Sequence, residues 1–261
     1  MPDGFTSDEI MTVSAARMLR NGAICFVGIG LPSTAANLAR LLHAPDAVLI
    51  YESGPIGAKP AVLPLSIGDG SLADTADTVV STPEIFRYWL QGGRVDVGFL
   101  GAAQLDRFAN INTTVIGDYR RPKVRLPGAG GAPEINTSAK EVLVIVKQSR
   151  RSFVEKLDFI TSAGFLSGGD SRERAGIPGK GPVAIITDLC ILRPDPKTRE
   201  LTVTSIHPEI SRDQIVASTG WEVRFSQDCV TTEPPTEKEL TTLRDLLART
   251  AKAHGAAGIA A

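Results

Sequence analysis

The sequence predicts an open α/β fold with a largely parallel sheet and helices on both faces. Three observations indicate it: short apolar runs that suit buried strands alternate with stretches of helical periodicity, several of these runs end in tight turns, and no linker interrupts the chain. The 261 residues, of which 43% are hydrophobic and 22% charged, suffice to form a large core. We therefore expect a single domain over residues 1–261.

The first hundred residues show the alternation of strands and helices. Thr6 and Glu9 form a capping-box pattern that predicts the start of a helix, and Asn21 with Gly22 predicts its end. The segments that follow alternate between buried apolar runs and helical spacing. We expect strands at 23–27, 46–51, 78–80 and 95–100, and helices at 34–42 and at 82–91 with Thr82 as the N-cap.

The rest of the chain is predicted to hold strands at 142–146, 183–192 and 201–206 and a final helix capped by Thr236. Between them lies a polar, glycine-rich loop at 164–182, which is longer than compact domains usually contain without a purpose. A role as a lid and a role as a subunit contact are both consistent with this loop. Its cations are candidate phosphate ligands or solvated surface charges, namely Arg172, Arg174 and Lys180.

Composition argues against several classes of function. The formal net charge is −1 and no run of like charges occurs, which disfavours a nucleic acid or an anionic membrane as partner. No window reaches the ~18 apolar residues of a membrane span and no signal peptide is evident, so we expect a cytoplasmic location. The histidines are isolated and indicate no metal site, and the three cysteines lie too far apart in sequence for a redox pair.

Glu52 is the most informative acidic residue. It follows the apolar run Val-Leu-Ile-Tyr and precedes Ser-Gly-Pro, so its carboxylate is expected at the end of a buried strand, facing a cleft. A carboxylate there can attack a thioester and form a reactive mixed anhydride without metal or histidine. An ion-paired or helix-capping glutamate is the alternative, and the residues alone leave both open.

Two further segments carry groups that suit an acyl substrate. Gly128, Gly130 and Gly131 offer backbone N–H groups that can hold an oxyanion or a phosphate. Glycine clusters between strands are common, however, so the segment taken by itself favours a plain glycine-rich turn. The amides between 101 and 113 can hold a carboxylate or a carbonyl, or can fix their own loop. They are Gln104, Asn110 and Asn112.

The turn after the first strand permits a different class of function. Gly28-Ile-Gly30-Leu-Pro-Ser33 is close to the dinucleotide-binding fingerprint, and Glu52 ends the next strand near the position of a ribose-binding acid. Ser33, however, replaces the third glycine, which that fingerprint needs for close packing of helix and strand. An NAD-binding oxidoreductase of the Rossmann type is therefore a second hypothesis.

Four motifs follow one another along the chain, namely Gly28-Ile-Gly30, Tyr51-Glu52-Ser53-Gly54, Gly101–Asn112 and Gly128–Gly131. Taken in this order, they resemble the β subunit of family I coenzyme A transferases, and the resemblance extends over almost the entire chain. The Glu-Ser-Gly form is similar to the glutaconate branch of that family. The resemblance implies the family's α/β domain, Glu52 as nucleophile, and Gly130 or Gly131 as oxyanion donor. The positions that it implies for substrate or CoA binding are Gly28, Gly30, Ser53, Gly54, Gln104, Asn110, Asn112 and Gly128.

The resemblance also implies a reaction. CoA would move from succinyl-CoA to a 3-oxo dicarboxylic acid such as 3-oxoadipate, in the breakdown of aromatic compounds, by a ping-pong route through a glutamyl-CoA thioester. Coenzyme A is then a substrate, no cofactor is expected, and a homologous α subunit completes an αβ or α₂β₂ assembly. An acyl-CoA hydrolase of the same fold and a non-catalytic subunit remain alternatives.

Overall fold

A computed structural model describes residues 4–255 of the chain. The helices are α1 (Ser7–Arg17), α2 (Leu31–Leu42), α3 (Gly70–Asp74), α4 (Thr82–Glu84), α5 (Ala132–Ser138), α6 (Ser171–Arg174), α7 (Arg212–Ala217) and α8 (Glu237–His254), and a π-helical segment, Ile85–Leu90, continues α4. The strands are β1 (Ile24–Phe26), β2 (Val48–Ile50), β3 (Pro55–Ile56), β4 (Thr78–Val79), β5 (Val97–Leu100), β6 (Gln104–Leu105), β7 (Ile111–Asn112), β8 (Val115–Gly117), β9 (Pro122–Arg125), β10 (Glu141–Ile145), β11 (Pro182–Ile186), β12 (Cys190–Pro194), β13 (Leu201–Ile206) and β14 (Arg224–Thr231).

The chain divides into two compact units. Unit 1 consists of residues 1–87 together with 235–261, and unit 2 consists of residues 88–234. No linker or change in composition marks these boundaries in the sequence, because the contacts that define unit 1 join segments far apart along the chain. The single domain expected over residues 1–261 stays a prediction.

Unit 1 combines four strands with the helices α1, α2 and α8, which contact one another. Its strands lie in the order β1-β2-β3-β4, with β1 and β2 parallel and the other two pairs antiparallel. Phe26 pairs in register with Ile50. A salt bridge of 2.7 Å between Arg17 and Glu239 joins α1 to α8. Unit 1 therefore places the carboxyl ends of β1 and β2 side by side.

Unit 2 contains strands that lie in the order β14-β13-β12-β11-β10-β5. The pairs β5/β10, β10/β11 and β13/β14 are parallel, whereas β12 is antiparallel to both of its neighbours. Fully buried aliphatic side chains such as Val144, Ile185 and Val203 form its core. The mixed α/β fold with a large, mostly parallel sheet is confirmed, and the antiparallel pairs are an addition to what was expected.

Most of the helices and strands that the sequence predicts are present, and two of them differ in detail. The capping boxes at Thr6 and Thr236 begin α1 and α8 as predicted. The strand predicted at 183–192 is instead two strands, because Thr187 closes a turn in which its Oγ1 accepts from the Cys190 N–H at 2.9 Å. The N-cap of α4 is Ser81 rather than Thr82, since both its N–H and its hydroxyl donate to the Glu84 carboxylate at 2.8 Å.

Candidate active site

Glu52 lies in a tight turn that joins β2 to β3. The Gly54 N–H donates to the Tyr51 carbonyl at 3.0 Å, and the Tyr51 N–H donates to the Pro55 carbonyl at 3.1 Å. Glu52 is therefore the second residue of a four-residue turn, and its side chain is half-buried. Among residues 4–255, no ion pair or hydrogen bond joins its carboxylate to another residue. The ion-paired and helix-capping alternatives for Glu52 thus find no partner in the described chain.

Tyr51 is the first residue of this turn, and its side chain holds the turn in place. Its side chain is fully buried, and its hydroxyl lies 3.2 Å from the Ser33 Oγ and 3.5 Å from the Asn37 Nδ2. Burial raises the pKa of the Tyr51 phenol, so the hydroxyl stays protonated. Because Ser33 and Asn37 belong to α2, the hydrogen bonds attach the turn to the start of that helix. No signal in the sequence pointed to this role of Tyr51.

The third and fourth positions of the turn are fixed as well. The Ser53 Oγ donates to the Ile67 carbonyl at 2.6 Å, so this hydroxyl already has a protein acceptor. Gly54 has a φ of 120°, and a Cβ there would lie 2.0 Å from the Val80 carbonyl oxygen. Only glycine fits at this point. The turn therefore presents one side chain without a protein partner, and that side chain is Glu52.

The glycine turn after β1 follows the strand that is paired with β2. Since Phe26 and Ile50 are matched in register, Gly28 and Glu52 each come two residues after the same pair. Gly30 has a φ of 73° and precedes the first residue of α2 without any side-chain cap. A Cβ at Gly28 or Gly30 would meet no atom within 4 Å. Open space therefore adjoins both glycines in unit 1.

The predicted oxyanion segment belongs to unit 2. The Gly128 N–H is already used, because it donates to the Thr113 carbonyl at 2.8 Å. Gly130 has a φ of 49° and Gly131 is the N-cap of α5. Within the described chain, neither of their N–H groups has a hydrogen-bond acceptor. Two successive free N–H groups are the kind of donor that stabilises an oxyanion, whereas Gly128 has a structural hydrogen bond.

Asn110 has a full set of protein partners. Its Nδ2 donates to Asp106 Oδ2 at 2.9 Å and to the Leu166 carbonyl at 2.8 Å. Its Oδ1 accepts from the N–H groups of Gly164 and Leu166, both at 3.0 Å. Asn110 therefore ties the 106–110 turn to the start of the long glycine-rich loop. A binding role for this residue stays a prediction, and its loop-fixing role is visible in these bonds.

Asn112 and Gln104 face each other across the β6/β7 hairpin. The Asn112 Nδ2 donates to Gln104 Oε1 at 2.9 Å and to the Val115 carbonyl at 2.7 Å, and its Oδ1 accepts from the Thr114 N–H at 3.0 Å. The Gln104 Nε2 has no acceptor among residues 4–255. Of the three predicted amides, Gln104 is the one that keeps a donor available for a substrate.

The predicted site residues thus form two groups, one in each unit. In unit 1 the register of β1 and β2 brings the glycine turn and the Glu52 turn to neighbouring strand ends. In unit 2 the Gly128–Thr113 hydrogen bond ties the glycine segment to the residue after β7. The unit 1 group is Gly28, Gly30, Glu52, Ser53 and Gly54, and the unit 2 group is Gln104, Asn110, Asn112, Gly128, Gly130 and Gly131.

The cations of the 164–182 loop were expected to contact phosphates or to be solvated, and for Arg172 the solvated alternative is wrong. Its side chain is 2% exposed. Its guanidinium donates to five backbone carbonyls at 2.7–3.3 Å. The sequence indicates only that some donor is needed here, because a glycine- and proline-rich loop has many carbonyls without regular partners. The acceptors belong to Asn136, Ala163, Gly164, Pro178 and Gly179.

The histidine and cysteine side chains considered next have structural surroundings. His207 is buried, with its Nε2 2.8 Å from the Thr187 carbonyl and its Nδ1 2.9 Å from the Thr232 Oγ1, as expected for a structural histidine. Cys25 and Cys190 are buried and form no disulfide. Residues 4–255 contain no group of three or more His, Cys, Asp or Glu that could hold a metal ion. No helix in the same range is both long and apolar enough to cross a bilayer.

Comparison with known proteins places this geometry in a family. The model of the family described as coenzyme A transferase matches residues 9–218. The chain belongs to the coenzyme A transferase family. It is 70% identical over 254 residues to the B subunit of the 3-oxoadipate CoA-transferase of Pseudomonas knackmussii, covering 97% of this chain and 98% of that protein.

More distant coenzyme A transferase relatives match over nearly the same length. The B subunit of the glutaconate CoA-transferase of Acidaminococcus fermentans is 34% identical, over 92% of each protein. A crystal structure of glutaconate coenzyme A-transferase from that organism superposes with a TM-score of 0.87 at 32% identity, covering 93% of this chain and 94% of that one. A cholesterol ring-cleaving hydrolase subunit of Rhodococcus jostii is 26% identical, over 83% of this chain and 81% of that protein.

Proposed function

We propose that this chain is the B-type subunit of a CoA-transferase that moves CoA from succinyl-CoA to 3-oxoadipate, with Glu52 as the nucleophile. The observation that carries the proposal is the Glu52 turn, in which the neighbouring residues are fixed by hydrogen bonds or close packing and the Glu52 carboxylate has no partner among residues 4–255. A relative named for this activity at 70% identity supports the choice of acceptor. The half-buried position of Glu52 supports its protection from bulk water.

The chemistry proceeds in two half-reactions. A Glu52 carboxylate oxygen attacks the thioester carbon of succinyl-CoA, the carbon–sulfur bond breaks, and the CoA thiolate leaves a mixed anhydride behind. The thiolate then attacks the Glu52 carbonyl carbon of the anhydride, succinate departs, and a glutamyl-CoA thioester remains. The acceptor carboxylate reverses these two steps and leaves as its own CoA thioester. Glu52 is regenerated as a carboxylate, and no proton or electron is consumed.

The remaining predicted residues are proposed in supporting roles. The free N–H groups of Gly130 and Gly131 suit the oxyanion that forms when a thioester carbonyl is attacked. The free Gln104 Nε2 suits a carboxylate or carbonyl of the acyl group. The open space beside Gly28 and Gly30 suits close approach of the substrate to the backbone.

We further propose that the chain works with a homologous α subunit in an αβ or α₂β₂ assembly in the cytoplasm. The names of two relatives, each a B subunit of its enzyme, support a partner chain. The proposed steps need no cofactor, because CoA enters and leaves as part of the substrates.

The decisive experiment is covalent trapping on the complex with its partner subunit. Incubation with succinyl-CoA followed by borohydride should reduce the Glu52 thioester to an alcohol, which mass spectrometry locates on the peptide that contains residue 52. Glu52→Gln should lose both the adduct and turnover. Glu237→Gln is the matched control, since this exposed glutamate in unit 1 lies in the first turn of α8, and it should retain both. Full turnover by Glu52→Gln would overturn the proposal.

Product analysis separates transfer from hydrolysis. A hydrolase of the same fold releases free CoA without an acceptor acid, whereas the proposed transferase needs 3-oxoadipate for net turnover. A panel of acceptors should rank dicarboxylic 3-oxo acids above acetoacetate. Preference for acetoacetate would contradict the assigned acceptor while leaving the Glu52 assignment intact.

A further inference from the structure

Unit 2 contains a cavity of about 400 Å³ whose lining includes none of the residues given a role in the proposed reaction. The glycine-rich loop forms one side, and β11 and β12 contribute the other. Four cationic side chains and one acidic side chain line it. These are Arg172, Lys180, Arg193, Arg199 and Glu173, and the lining also includes Phe165, Ile177, Val183 and Pro194.

Arg172 is the first indication of what the cavity binds. Its five carbonyl acceptors satisfy the N–H groups, but carbonyls carry no net charge, and no carboxylate lies within 4 Å of the guanidinium in the described chain. A buried charge that has no ion-pair partner destabilises the fold. Glu173 favours the charged form of Arg172 from a distance and raises its pKa, but its carboxylate pairs with Arg199. Burial lowers the pKa of Arg172 to about 10, which still leaves it charged at neutral pH. An anion in the adjoining cavity would offset this charge.

The charged side chains that line the cavity, together with their ion-pair partners, have a net positive charge. Lys180 pairs with Glu141 at 2.7 Å, and Arg199 pairs with Glu173 at 3.3 Å. Arg193 has no acidic partner among residues 4–255, and its Nη1 contacts only the Val183 carbonyl at 3.4 Å. Counting both glutamates against the four cations leaves two positive charges in excess. Two charges match a doubly ionised phosphate group.

The apolar part of the lining indicates that the anion is part of a larger molecule. The Arg199 guanidinium lies 5.5 Å from the centre of the Phe165 ring, which holds its planar group against an apolar wall. Ile177, Val183 and Pro194 add aliphatic surface. A cavity of about 400 Å³ is in the range of small-molecule sites and exceeds what a single phosphate ion fills.

We propose that this cavity binds the phosphate group of a small organic phosphate, with Arg193 and Arg199 as its direct ligands and Arg172 as a fixed positive charge behind them. Arginine suits this role because its planar fork of donors matches phosphate oxygens. None of the contacts that define this site involves Glu52, so the site stands whether or not Glu52 is the nucleophile.

The test is calorimetric titration of inorganic pyrophosphate into the complex of this chain with its partner subunit. Saturable binding is expected, weakened at least tenfold in Arg193→Gln and in Arg199→Gln. Arg174→Gln is the matched control, because this arginine of the same loop does not line the cavity and pairs with Asp170 at 3.3 Å. The pyrophosphate affinity of Arg174→Gln should stay within twofold of that of the unmodified protein. Absence of saturable binding, or equal weakening in the control, would overturn the proposal.

Two sources of the phosphate are distinguished by kinetics on the same variants. If the KM for succinyl-CoA rises together with the loss of pyrophosphate affinity, the phosphate is that of the CoA substrate. If the KM is unchanged while pyrophosphate affinity is lost, the ligand is a separate organic phosphate. If an acidic segment of the partner subunit fills the cavity instead, the complex will bind no pyrophosphate, and that result contradicts the proposal.

Discussion

The Tyr51 hydroxyl lies 3.2 Å from the Ser33 Oγ, in a fully buried contact between the end of β2 and the first turn of α2. Tyr51 is also the residue whose backbone carbonyl closes the Glu52 turn. The contact therefore connects the proposed nucleophile, through one residue, to a helix. We infer that Tyr51 is a positioning residue for Glu52.

Tyr51→Phe removes this hydroxyl without removing the ring. We expect a loss of about 1 kcal/mol in stability, because a buried hydrogen bond is lost, and a melting temperature lower by about 2–4 °C. We also expect kcat to fall several-fold with little change in the KM for succinyl-CoA, since the turn is loosened but binding groups are untouched. Tyr88→Phe, at a tyrosine that is 57% exposed, is the control. If kcat is unchanged in Tyr51→Phe, the Tyr51 hydroxyl contributes to stability and does not position Glu52.

Gly54→Ala tests the close packing of the turn. The new Cβ would lie 2.0 Å from the Val80 carbonyl oxygen at a φ of 120°, so β4 or the turn must move. Overpacking of this kind is destabilising by about 1–3 kcal/mol, and the backbone strain adds to it. Gly70→Ala, where a Cβ meets nothing within 4 Å, should leave the melting temperature almost unchanged. Equal melting temperatures for the two variants would show that the turn is not tightly packed.

Asn110→Ala and Gln104→Ala distinguish substrate binding from fixing of the loop, the two roles that the sequence allows for these amides. Asn110→Ala removes four hydrogen bonds and should lower stability by about 2–4 kcal/mol. Gln104→Ala removes one internal bond and the free Nε2, so a smaller loss of stability and a several-fold higher KM are expected. Thermal melts and steady-state kinetics on both variants provide the comparison. A KM effect confined to Asn110→Ala would reverse this assignment.

His207 should make stability depend on pH. Burial lowers its pKa below the ordinary 6.5, so the unfolded chain binds a proton more readily than the folded chain. Stability is therefore full above about pH 6.5 and declines as the pH falls from there toward the folded-state pKa. The decline in melting temperature between pH 7.5 and 5.5 should be larger for the original protein than for His207→Gln. Parallel curves for the two proteins would contradict this.

Two carboxylates, those of Glu9 and Glu239, affect stability in a lower pH window than His207. Hydrogen bonds and ion pairs with Arg244 lower the pKa of Glu9, and those with Arg17 outweigh burial to lower the pKa of Glu239, both from an ordinary value of 4.5. Their contribution to stability is present above about pH 4.5 and is lost as the pH falls further.

Features set by neighbouring residues were predictable from the sequence. The capping boxes at Thr6 and Thr236 fixed the starts of two helices, because each needs only a hydroxyl and a glutamate three residues later. The position of Glu52 after a buried strand followed in the same way from the apolar run before it. The strand Arg224–Thr231 was missed because its side chains are mostly exposed and show no buried apolar run.

Features that depend on distant partners were not predictable. The substrate-binding role expected for Ser53 and Gly54 stays a prediction. The sequence does not show their structural contacts, because the Ile67 and Val80 carbonyls lie 14 and 26 residues away. Arg172 is similar, because its acceptor in Asn136 lies 36 residues earlier. A single sequence contains no local signal for such contacts, although the unpaired carbonyls of a glycine-rich loop show that some donor is needed.

The convergence of five carbonyls on Arg172 affects how the surrounding segment is attacked by proteases. Trypsin must extend the backbone around the arginine that it recognises, and at Arg172 this would require breaking the cluster and exposing its interior. The bond after Arg172 is therefore protected in the native protein and becomes a trypsin site only when the chain unfolds.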